Sequence, residues 1–328
     1  MLRAGVIGLG VGEAHAQTYA EHPDCELVAL CDLDETRLAQ VATRHPGVRT
    51  SAEADELLTD PELDLISIAS FDDAHYAQVV TALEHGKHVF VEKPLCTRRE
   101  EMEHLRALLA ERPGQVLSSN LVLRASPRFR LLKELVDAGR LGRIYYAEAD
   151  YDYGRLHKIT EGWRGDLPHY SVTLGGGVHV VDLLLWLTGG RVAEVSAYGS
   201  RIASEGTKFR FDDLTVALLR FEDGMLAKVA SNFGSATPHF HAVEVFGTEA
   251  TFVNGPEQAW LVDRERREQI DEPYPGVAKG ALIPAFVDAV LGRGKLAVEP
   301  DEVFAALDVC FAIDESAASG KPVATLRS

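Results

Sequence analysis

The fold is decided by residues 2–21, LRAGVIGLGVGEAHAQTYAE. The apolar run from Leu2 to Ile7 predicts a buried strand, a glycine-rich turn follows at residues 8–12, and Val11 to Glu21 has the pattern of a helix. A strand, a tight turn and a helix in this order make the first half of a βαβ unit. The stretch therefore predicts an α/β fold that begins with a parallel sheet.

The same alternation continues to about residue 120. Further strands are predicted at Glu26–Cys31, Leu65–Ser70, Lys87–Val91 and Val116–Ser119, and further helices at Glu35–Arg44, Ala74–His85 and Thr97–Glu111. Strictly alternating strands and helices imply parallel strands joined by right-handed crossovers. We therefore expect residues 1–120 to form a Rossmann domain, a doubly wound parallel sheet.

The pattern changes after Asn120, and residues 121–328 are expected to form a second α/β domain. Its strands are predicted at Ile144–Tyr153, Val192–Ile202, Leu214–Phe221, Leu226–Phe233, His241–Phe246 and Thr251–Val253, its helices at Pro127–Ala138, Val178–Leu187, Ile283–Leu291 and Asp301–Ser319, and a loop at 154–177. Consecutive strands without helices between them favour a large, open, mostly antiparallel sheet. The last helix is expected to be able to pack back on the Rossmann domain.

Composition and charge narrow the class of protein. Hydrophobic residues make up 46% of the 328 residues and charged residues 25%, which is typical of a folded globular protein. Apolar runs fall well short of the ~20 residues that span a bilayer, and the pattern of a secretory signal is absent, so we expect a cytoplasmic protein. The net charge of -17 argues against nucleic acids and anionic membranes as partners. The four cysteines contain no CxxC pair, and we expect reduced, mostly buried thiols and no metal site.

The glycine-rich turn has the context of a dinucleotide site. Gly8 allows a tight turn, Gly10 lets the backbone approach a pyrophosphate, and the helix N-terminus offers N–H groups to phosphates. The usual third glycine falls at Glu13, with Gly12 one residue early. Many strand-to-helix turns carry glycines for structural reasons alone, but the βαβ pattern that follows favours a turn that binds the dinucleotide NAD. The predicted pyrophosphate contacts are Gly8, Leu9, Gly10, Val11 and Gly12.

An acidic residue at the end of the second strand supports the same interpretation. Asp32 stands where a carboxylate can accept hydrogen bonds from the adenosine ribose, and Asp34 follows it. Both carboxylates would repel the 2′-phosphate of NADP, so we expect NAD. The alternative is that Asp32 only opens a turn.

Three further blocks resemble a known family. They are HGKHVFVEKPL at residues 85–95, GGGVHVVD at 175–182 with WLTG at 186–189, and DESA at 314–317 with GKPV at 320–323. Together they resemble the glucose–fructose oxidoreductase, inositol dehydrogenase and rhizopine catabolism (Gfo/Idh/MocA) family over essentially the whole chain. The resemblance implies an NAD-dependent oxidoreductase with a Rossmann domain, and a second domain that binds substrate and joins homodimers or homotetramers through its open sheet.

The resemblance also implies roles for individual residues. It makes Lys93 and His179 catalytic, gives Glu92 to the nicotinamide ribose, and predicts a cis bond between Lys93 and Pro94. We add Ser70, His75 and Lys93 to the predicted cofactor contacts.

The chain departs from the family pattern in two places. An acid four residues before the histidine is replaced by Gly175, and the Thr-Pro-Asn turn reads Ser70-Phe71-Asp72. Because of these departures, the resemblance does not predict which residues relay the substrate proton or which substrate the protein uses.

The chemistry of alcohol oxidation fits these side chains. An ammonium at Lys93 can polarise a carbonyl oxygen, and His179 can exchange a proton near neutral pH. Asp182 lies three residues after His179 on a predicted helix and can orient its imidazole. The structural alternatives are a solvated lysine and a histidine that caps a helix or packs in the core.

Predicted substrate contacts are more scattered along the chain. They are Asn120, Trp163, Arg164, His179 and Asp182, with His239 and His241 as weaker candidates. Aromatic and cationic side chains suit sugar rings that carry hydroxyl or acidic groups. The same residue types are enriched at protein interfaces, so an interface rim is the alternative for residues 151–170.

Three functions remain open at this point. The favoured one is hydride transfer between NAD and a secondary alcohol of a sugar, polyol or sugar-nucleotide. The second is a redox-neutral glycosidase or epimerase that retains its NAD, and the third is a ligand-sensing regulator, which the presence of Lys93 disfavours.

Overall fold

The structure is a computed structural model that describes residues 1–326 and divides into two compact units. The first unit comprises Met1–Ala125 and Val277–Phe304, and the second comprises Ser126–Gly276 and the chain from Ala305 onward. The sequence pattern placed a single boundary near residue 120. In the structure, the late segment 277–304 packs instead with residues 1–125 of the first unit, although it follows them by more than 150 residues in the sequence.

The first unit contains the predicted parallel sheet. Its strands are β1 (Leu2–Ile7), β2 (Cys25–Cys31), β3 (Arg49–Ser51), β4 (Leu65–Ile68), β5 (His88–Val91) and β6 (Leu117–Ser119). They lie in the order β3-β2-β1-β4-β5-β6 and all pair in parallel. This is the order of a doubly wound dinucleotide-binding fold, with the switch point at the carboxyl ends of β1 and β4.

Helices connect these strands as the alternating pattern predicts. They are α1 (Gly12–Glu21), α2 (Glu35–Ala42), α3 (Ala54–Leu58), α4 (His75–Glu84) and α5 (Arg99–Ala110). The prediction missed β3 and α3. Both are very short, and the Arg-Thr-Ser sequence of β3 contains no apolar residue that would signal a strand. All four residues of β4 are buried, as expected of a strand covered on both faces.

The second unit is built on a nine-stranded sheet. Its strands are β7 (Ile144–Asp152), β8 (Val192–Ser200), β9 (Leu214–Phe221), β10 (Leu226–Asn232), β11 (Phe240–Gly247), β12 (Thr251–Asn254), β13 (Ala259–Val262), β14 (Arg267–Ile270) and β15 (Val323–Ala324). They lie in the order β14-β13-β12-β11-β7-β10-β9-β8-β15, and every pair is antiparallel except β7 with β10. The mostly antiparallel sheet is confirmed. The prediction missed β13, an apolar run of only four residues, and β14, whose Arg-Glu-Gln-Ile sequence is mostly polar.

The helices of the second unit before residue 277 are α6 (Pro127–Asp137), α7 (His157–Thr160) and α8 (Val178–Thr188). A 3₁₀ turn at Trp163–Asp166 and a π-helical turn at Thr173–Gly177 lie in the stretch predicted as a loop, so that prediction was wrong in part. Helix α8 packs against β7. The opposite face of the sheet exposes Tyr198, Leu218 and Leu226, at 76%, 61% and 51%.

The last two helices are α9 (Ile283–Val290) and α10 (Pro300–Ser319). Within the first unit, Phe286 of α9 packs on Phe90 of β5, with ring centroids 5.5 Å apart. At the start of α10, Glu302 forms an ion pair with Arg124 at 2.8 Å. The helix contributes its residues through Phe304 to the first unit and the remainder to the second.

All four cysteines are free and buried, as predicted. Within residues 1–326, no helix combines the length and apolar character needed to cross a membrane.

Candidate active site

The glycine-rich turn after β1 has the form of a phosphate-binding loop. Gly8 adopts φ +83°, and a Cβ atom there would lie 2.3 Å from the Ala69 carbonyl oxygen, so only glycine fits. Around Gly10, by contrast, no described atom lies within 4 Å of the Cβ position. The backbone is therefore open to a ligand at Gly10, as a bound pyrophosphate requires.

The displaced third glycine performs its usual packing role. A Cβ atom at Gly12 would lie 3.0 Å from Val6 Cγ1 and 3.2 Å from Ala69 Cβ, so the start of α1 packs closely against β1 and the end of β4. The glycine one residue early thus allows the close approach of helix and strand that the fingerprint needs. Leu9 is buried and Val11 is exposed on either side of the open backbone at Gly10.

Asp32 is held at the carboxyl end of β2 by backbone donors. Its carboxylate accepts the Leu9 N–H at 2.6 Å and the Asp34 N–H at 2.8 Å. The bond with the Asp34 N–H shows that Asp32 does stabilise the turn after β2. The bond with the Leu9 N–H also fixes Asp32 against the glycine-rich turn. Arg37, which the sequence did not single out, lies 3.4 Å from the carboxylates of both Asp32 and Asp34.

His75 links two other strand ends of the same edge. Its Nδ1 lies 2.7 Å from the Pro94 carbonyl oxygen and its Nε2 lies 3.2 Å from the Ser70 carbonyl oxygen. The Ser70 hydroxyl donates to Gln78 at 2.7 Å. The peptide bond between Lys93 and Pro94 is cis, as expected.

Glu92, at the carboxyl end of β5, lies in a buried polar cluster. Asn120 Nδ2 donates to Glu92 Oε1 at 2.6 Å and to the Lys279 carbonyl at 2.9 Å. His15 Nε2 lies 3.4 Å from the same Glu92 oxygen, and His15 Nδ1 lies 2.8 Å from Ser67 Oγ. His15 is completely buried on α1, one turn beyond the glycines. No prediction included it, although a histidine on the buried face of that helix was a signal.

The cluster favours the ionised form of Glu92. Burial by itself would raise the pKa of this carboxyl, but the hydrogen bonds from His15 and Asn120 and the charges of His15 and Lys93 lower it to about 2. Lys93 is half-buried directly after it. Gly8, Asp32, Ser70 and Lys93 thus follow the carboxyl ends of β1, β2, β4 and β5, the edge where open α/β sheets bind ligands.

In the second unit, His179 is the second residue of α8 and is 6% exposed. The three glycines before it are closely approached by other side chains. Cβ atoms at Gly175, Gly176 and Gly177 would lie 2.1 Å from Tyr170 Oη, 2.4 Å from Tyr151 Cε1 and 2.0 Å from Ser231 Oγ. The phenol of Tyr170 therefore fills the space next to Gly175, one turn before the histidine.

Aromatic rings surround the Tyr151 side chain. Its ring centroid lies 6.2 Å from that of His179, 5.0 Å from His239, 5.3 Å from His241 and 5.7 Å from Phe233. His179, which lies about 60 residues before His239 and His241 in the sequence, therefore joins them in one cluster around Tyr151.

Asp182 is buried on α8, 1% exposed. A second acid near α8, the partly buried Asp314 of α10, was not predicted as a site residue. Burial raises the pKa of Asp314 to about 6, although hydrogen bonds with Ser171 and Thr173 lower it. Those two partners flank the start of the π-helical turn, so Asp314 supports the segment that carries the three glycines.

The other predicted substrate contacts lie in separate places. The Arg164 guanidinium stacks 4.4 Å above the Trp163 ring in the 3₁₀ turn of the second unit. Asn120 belongs to the first unit, where it holds Glu92.

Two family models match this chain. Residues 2–120 match an oxidoreductase family with an NAD-binding Rossmann fold, and residues 129–253 match the GFO/IDH/MocA C-terminal domain.

Curated relatives and solved structures agree with these matches. The scyllo-inositol 2-dehydrogenase (NAD(+)) of Bacillus subtilis is 29% identical over 77% of this chain and 74% of its own. The myo-inositol 2-dehydrogenase of Thermotoga maritima is 27% identical over 76% of this chain and 73% of its own. The crystal structure of myo-inositol 2-dehydrogenase from Lactobacillus plantarum superposes with a TM-score of 0.85, covering 99% of both chains at 24% identity.

The family models and the solved structure therefore agree with the fold described above. The chain belongs to the GFO/IDH/MocA family and is an oxidoreductase that acts on alcohol groups, with an NAD-binding Rossmann fold at residues 2–120.

Proposed function

We propose that this oxidoreductase transfers a hydride between NAD and a secondary alcohol of a sugar, a polyol or a sugar-nucleotide. The observation that carries the proposal is the Glu92–Lys93 pair at the carboxyl end of β5, with Glu92 ionised beside the Lys93 charge. The two curated relatives support the alcohol class, since both are inositol dehydrogenases. When NAD is bound, its nicotinamide supplies the hydride acceptor.

Lys93 is the proposed catalytic group of the first unit. Its side chain binds the reacting oxygen of the substrate and stabilises the negative charge that develops there. The Glu92 carboxylate lies in the same segment and is fixed by Asn120 and His15. We propose that it binds a ribose hydroxyl of the cofactor, with 1–120 as the cofactor domain and 121–328 as the domain for substrate and oligomer contacts.

His179 is the proposed proton-exchanging group of the second unit. Imidazole titrates near neutral pH, which suits exchange of the substrate hydroxyl proton. In this chain the group one turn before it is the Tyr170 phenol, where relatives of the family carry an acid at the position of Gly175. We propose that His179, Asp182, Trp163 and Arg164 contact or orient the substrate.

NAD rather than NADP is the proposed cofactor. Two carboxylates, Asp32 and Asp34, follow the carboxyl end of β2, where this fold binds the adenosine ribose, and would repel the 2′-phosphate of NADP. The Arg37 guanidinium is 3.4 Å from both and offsets part of their charge. We therefore propose a preference for NAD that is moderate rather than absolute.

The decisive measurement is NADH formation across a panel of sugars, inositols and nucleotide sugars, with Lys93→Ala as the paired variant. We expect the variant to bind NAD and to lose turnover by roughly a hundredfold or more, the size of effect seen when a charge-stabilising donor is removed. Conversion of a substrate to an isomer or hydrolysis product without net NADH would point instead to the redox-neutral function. Wild-type turnover in a folded Lys93→Ala protein would remove Lys93 from the mechanism.

A further inference from the structure

One face of the second sheet gathers basic and hydrogen-bond-donating side chains around Tyr151. Besides the ring contacts already described, the His239 and His241 centroids are 4.7 Å apart, and His179 and His241 are 6.3 Å apart. Tyr153 stacks on Tyr151 at 5.9 Å. The three imidazoles and two phenols form one contiguous, mostly buried group, here called the Tyr151 cluster.

His241 is held in a defined orientation within this cluster. The Tyr274 hydroxyl accepts the backbone N–H of His241 at 2.9 Å and is also hydrogen-bonded to its ring Nδ1. Because the hydroxyl accepts from the backbone, its own hydrogen is available for Nδ1. In the neutral imidazole that arrangement places the ring hydrogen on Nε2, which then acts as a donor.

A second layer of buried contacts fixes Tyr274 and His241. Asn254 Nδ2 donates to the His241 carbonyl at 2.7 Å, and Arg128 Nη1 donates to Asn254 Oδ1 at 2.9 Å. The same Arg128 guanidinium lies 5.3 Å above the Tyr274 ring. Such support is expected around a side chain that must meet a ligand in one geometry.

Two arginines add permanent positive charge to the cluster. The turn at Gly154 packs against the segment of His239, since a Cβ atom there would lie 3.1 Å from the His239 nitrogen, and Arg155 follows directly. Arg155 lies 5.5 Å above the Tyr153 ring. The charges of Arg164 and Arg155 both act on the Tyr151 hydroxyl and lower its pKa, although burial raises that pKa by more.

The carboxylates of β7 lie on the other face of the sheet. Asp150 and Asp152 alternate with Tyr151 along the strand. Asp150 accepts a hydrogen bond from Lys228 at 2.9 Å, and Asp152 accepts one from Asn232 at 3.0 Å. The strand therefore gives the Tyr151 cluster no carboxylate, in a chain whose net charge is -17.

These hydrogen-bond donors match a ligand group that only accepts hydrogen bonds better than they match a hydroxyl group, which also donates. A sugar hydroxyl both donates and accepts, whereas arginine only donates, and His241 Nε2–H donates. A carboxylate is acceptor-only and forms the stronger, charge-assisted bonds. We propose that the substrate is a sugar acid or polyol acid, with its carboxylate bound by His241, His239 and Arg155. This inference rests on the proposed function, which it narrows to anionic alcohols.

The experiment compares matched pairs of compounds, such as glucose with gluconate and glucuronate. With NAD present, we expect kcat/KM for an acid to exceed that of its neutral partner by at least about tenfold. His241→Asn and Arg155→Gln should each lower kcat/KM for the acid by about ten- to a hundredfold, the range for a hydrogen bond to a charged group, and change the neutral partner far less. His157→Gln, an exposed histidine in the same segment, is the matched control.

Calorimetric titration of the same compounds into the NAD complex separates the two proposals. Tighter binding of the acid without any NADH would support the carboxylate site and overturn the dehydrogenase function. Equal or better binding and turnover of the neutral partner, or of a sugar phosphate, would overturn the carboxylate site and leave the dehydrogenase function standing. Equal losses for acid and neutral compounds in His241→Asn would also overturn it.

Discussion

At the scale of single residues, His15 and Glu92 show how much of the site depends on one buried pair. His15 has no path to solvent, and its Nε2 is directed at a carboxylate that also faces Lys93. Removing a partner from a buried charge leaves that charge uncompensated, which costs far more than the loss of a surface ion pair. We therefore treat His15 as a positioning residue for Glu92.

We expect His15→Gln to fold, to bind NAD more weakly and to lose roughly tenfold or more in kcat/KM. The matched control is His45→Gln, since His45 is also a buried histidine of the first unit and does not contact Glu92. Fluorescence titration with NADH and steady-state kinetics provide the two readouts. Equal behaviour of the two variants would show that His15 has no special role.

The pKa of Glu92 also predicts an acid dependence of stability. A carboxyl with a pKa of about 2 in the fold and about 4.3 in an unfolded chain stabilises the fold above the higher value. That contribution is lost as the pH falls from about 4.3 towards 2. Thermal melts of wild type and Glu92→Gln should therefore converge as the pH is lowered through this range, and a constant difference down to pH 2 would contradict the assignment.

Arg37 is the residue that we expect to tune the proposed preference for NAD over NADP. Because its guanidinium neutralises part of the charge of Asp32 and Asp34, its removal should strengthen their repulsion of a 2′-phosphate. We expect Arg37→Ala to increase the ratio of NADP to NAD dissociation constants, and Asp32→Ala to reduce it. Calorimetry with both cofactors measures the ratio, and tighter binding of NADP by the wild type would refute the preference for NAD.

At the scale of elements, the π-helical turn before α8 requires glycine because neighbouring side chains occupy the positions that Cβ atoms would take. Gly175→Ala would place a methyl group 2.1 Å from Tyr170 Oη and 2.7 Å from Tyr170 Cζ. Overpacking of this kind costs about 1–3 kcal/mol. We expect a clear fall in melting temperature, whereas Gly114→Ala, with open space at its Cβ position, should change it little. An unchanged melting temperature for Gly175→Ala would mean that the Tyr170 ring moves freely.

Long elements with strong apolar patterns were predictable, whereas very short strands and those defined by tertiary contacts were not. Leu2–Ile7 and Leu214–Phe221 have the bounds expected from sequence. Strand Arg49–Ser51 has no apolar signal and exists because it pairs with β2. The same distinction holds in the site: glycine spacing and the Glu-Lys-Pro segment predict which residues contact the cofactor, whereas the partners of Glu92 and the Tyr170 phenol at Gly175 emerge only from packing.

At the scale of the whole molecule, the open sheet face predicts an assembly. Tyr198, Val216, Leu218 and Leu226 are exposed on neighbouring strands of one face. A contiguous apolar surface of this kind on a monomer marks an interaction site, and we propose that a second copy of the chain covers it. Light scattering should give at least twice the monomer mass of 35.8 kDa at micromolar concentration.

Leu218→Asp tests which face makes that contact, because Leu218 lies between Ser196 and Lys228 in the middle of it. We expect the variant to shift towards the monomer. Tyr145→Asp, at an exposed position near the start of β7, is the comparison variant and should leave the mass unchanged. A wild-type protein that is monomeric at micromolar concentration would refute the assembly itself.

The late segment 277–304 also has a consequence for biosynthesis. Three side chains near the end of the early part of the first unit donate to acceptors in that segment: Asn120 to the Lys279 carbonyl, Ser118 to the Val298 carbonyl and Arg124 to Glu302. At ~5–20 residues per second, a ribosome that has finished Ala125 needs on the order of ten to thirty seconds to reach these acceptors. During that interval the nascent Rossmann sheet lacks these late acceptors, so we expect a stalled or truncated chain ending before residue 277 to be a substrate for chaperones rather than a stable cofactor-binding fragment.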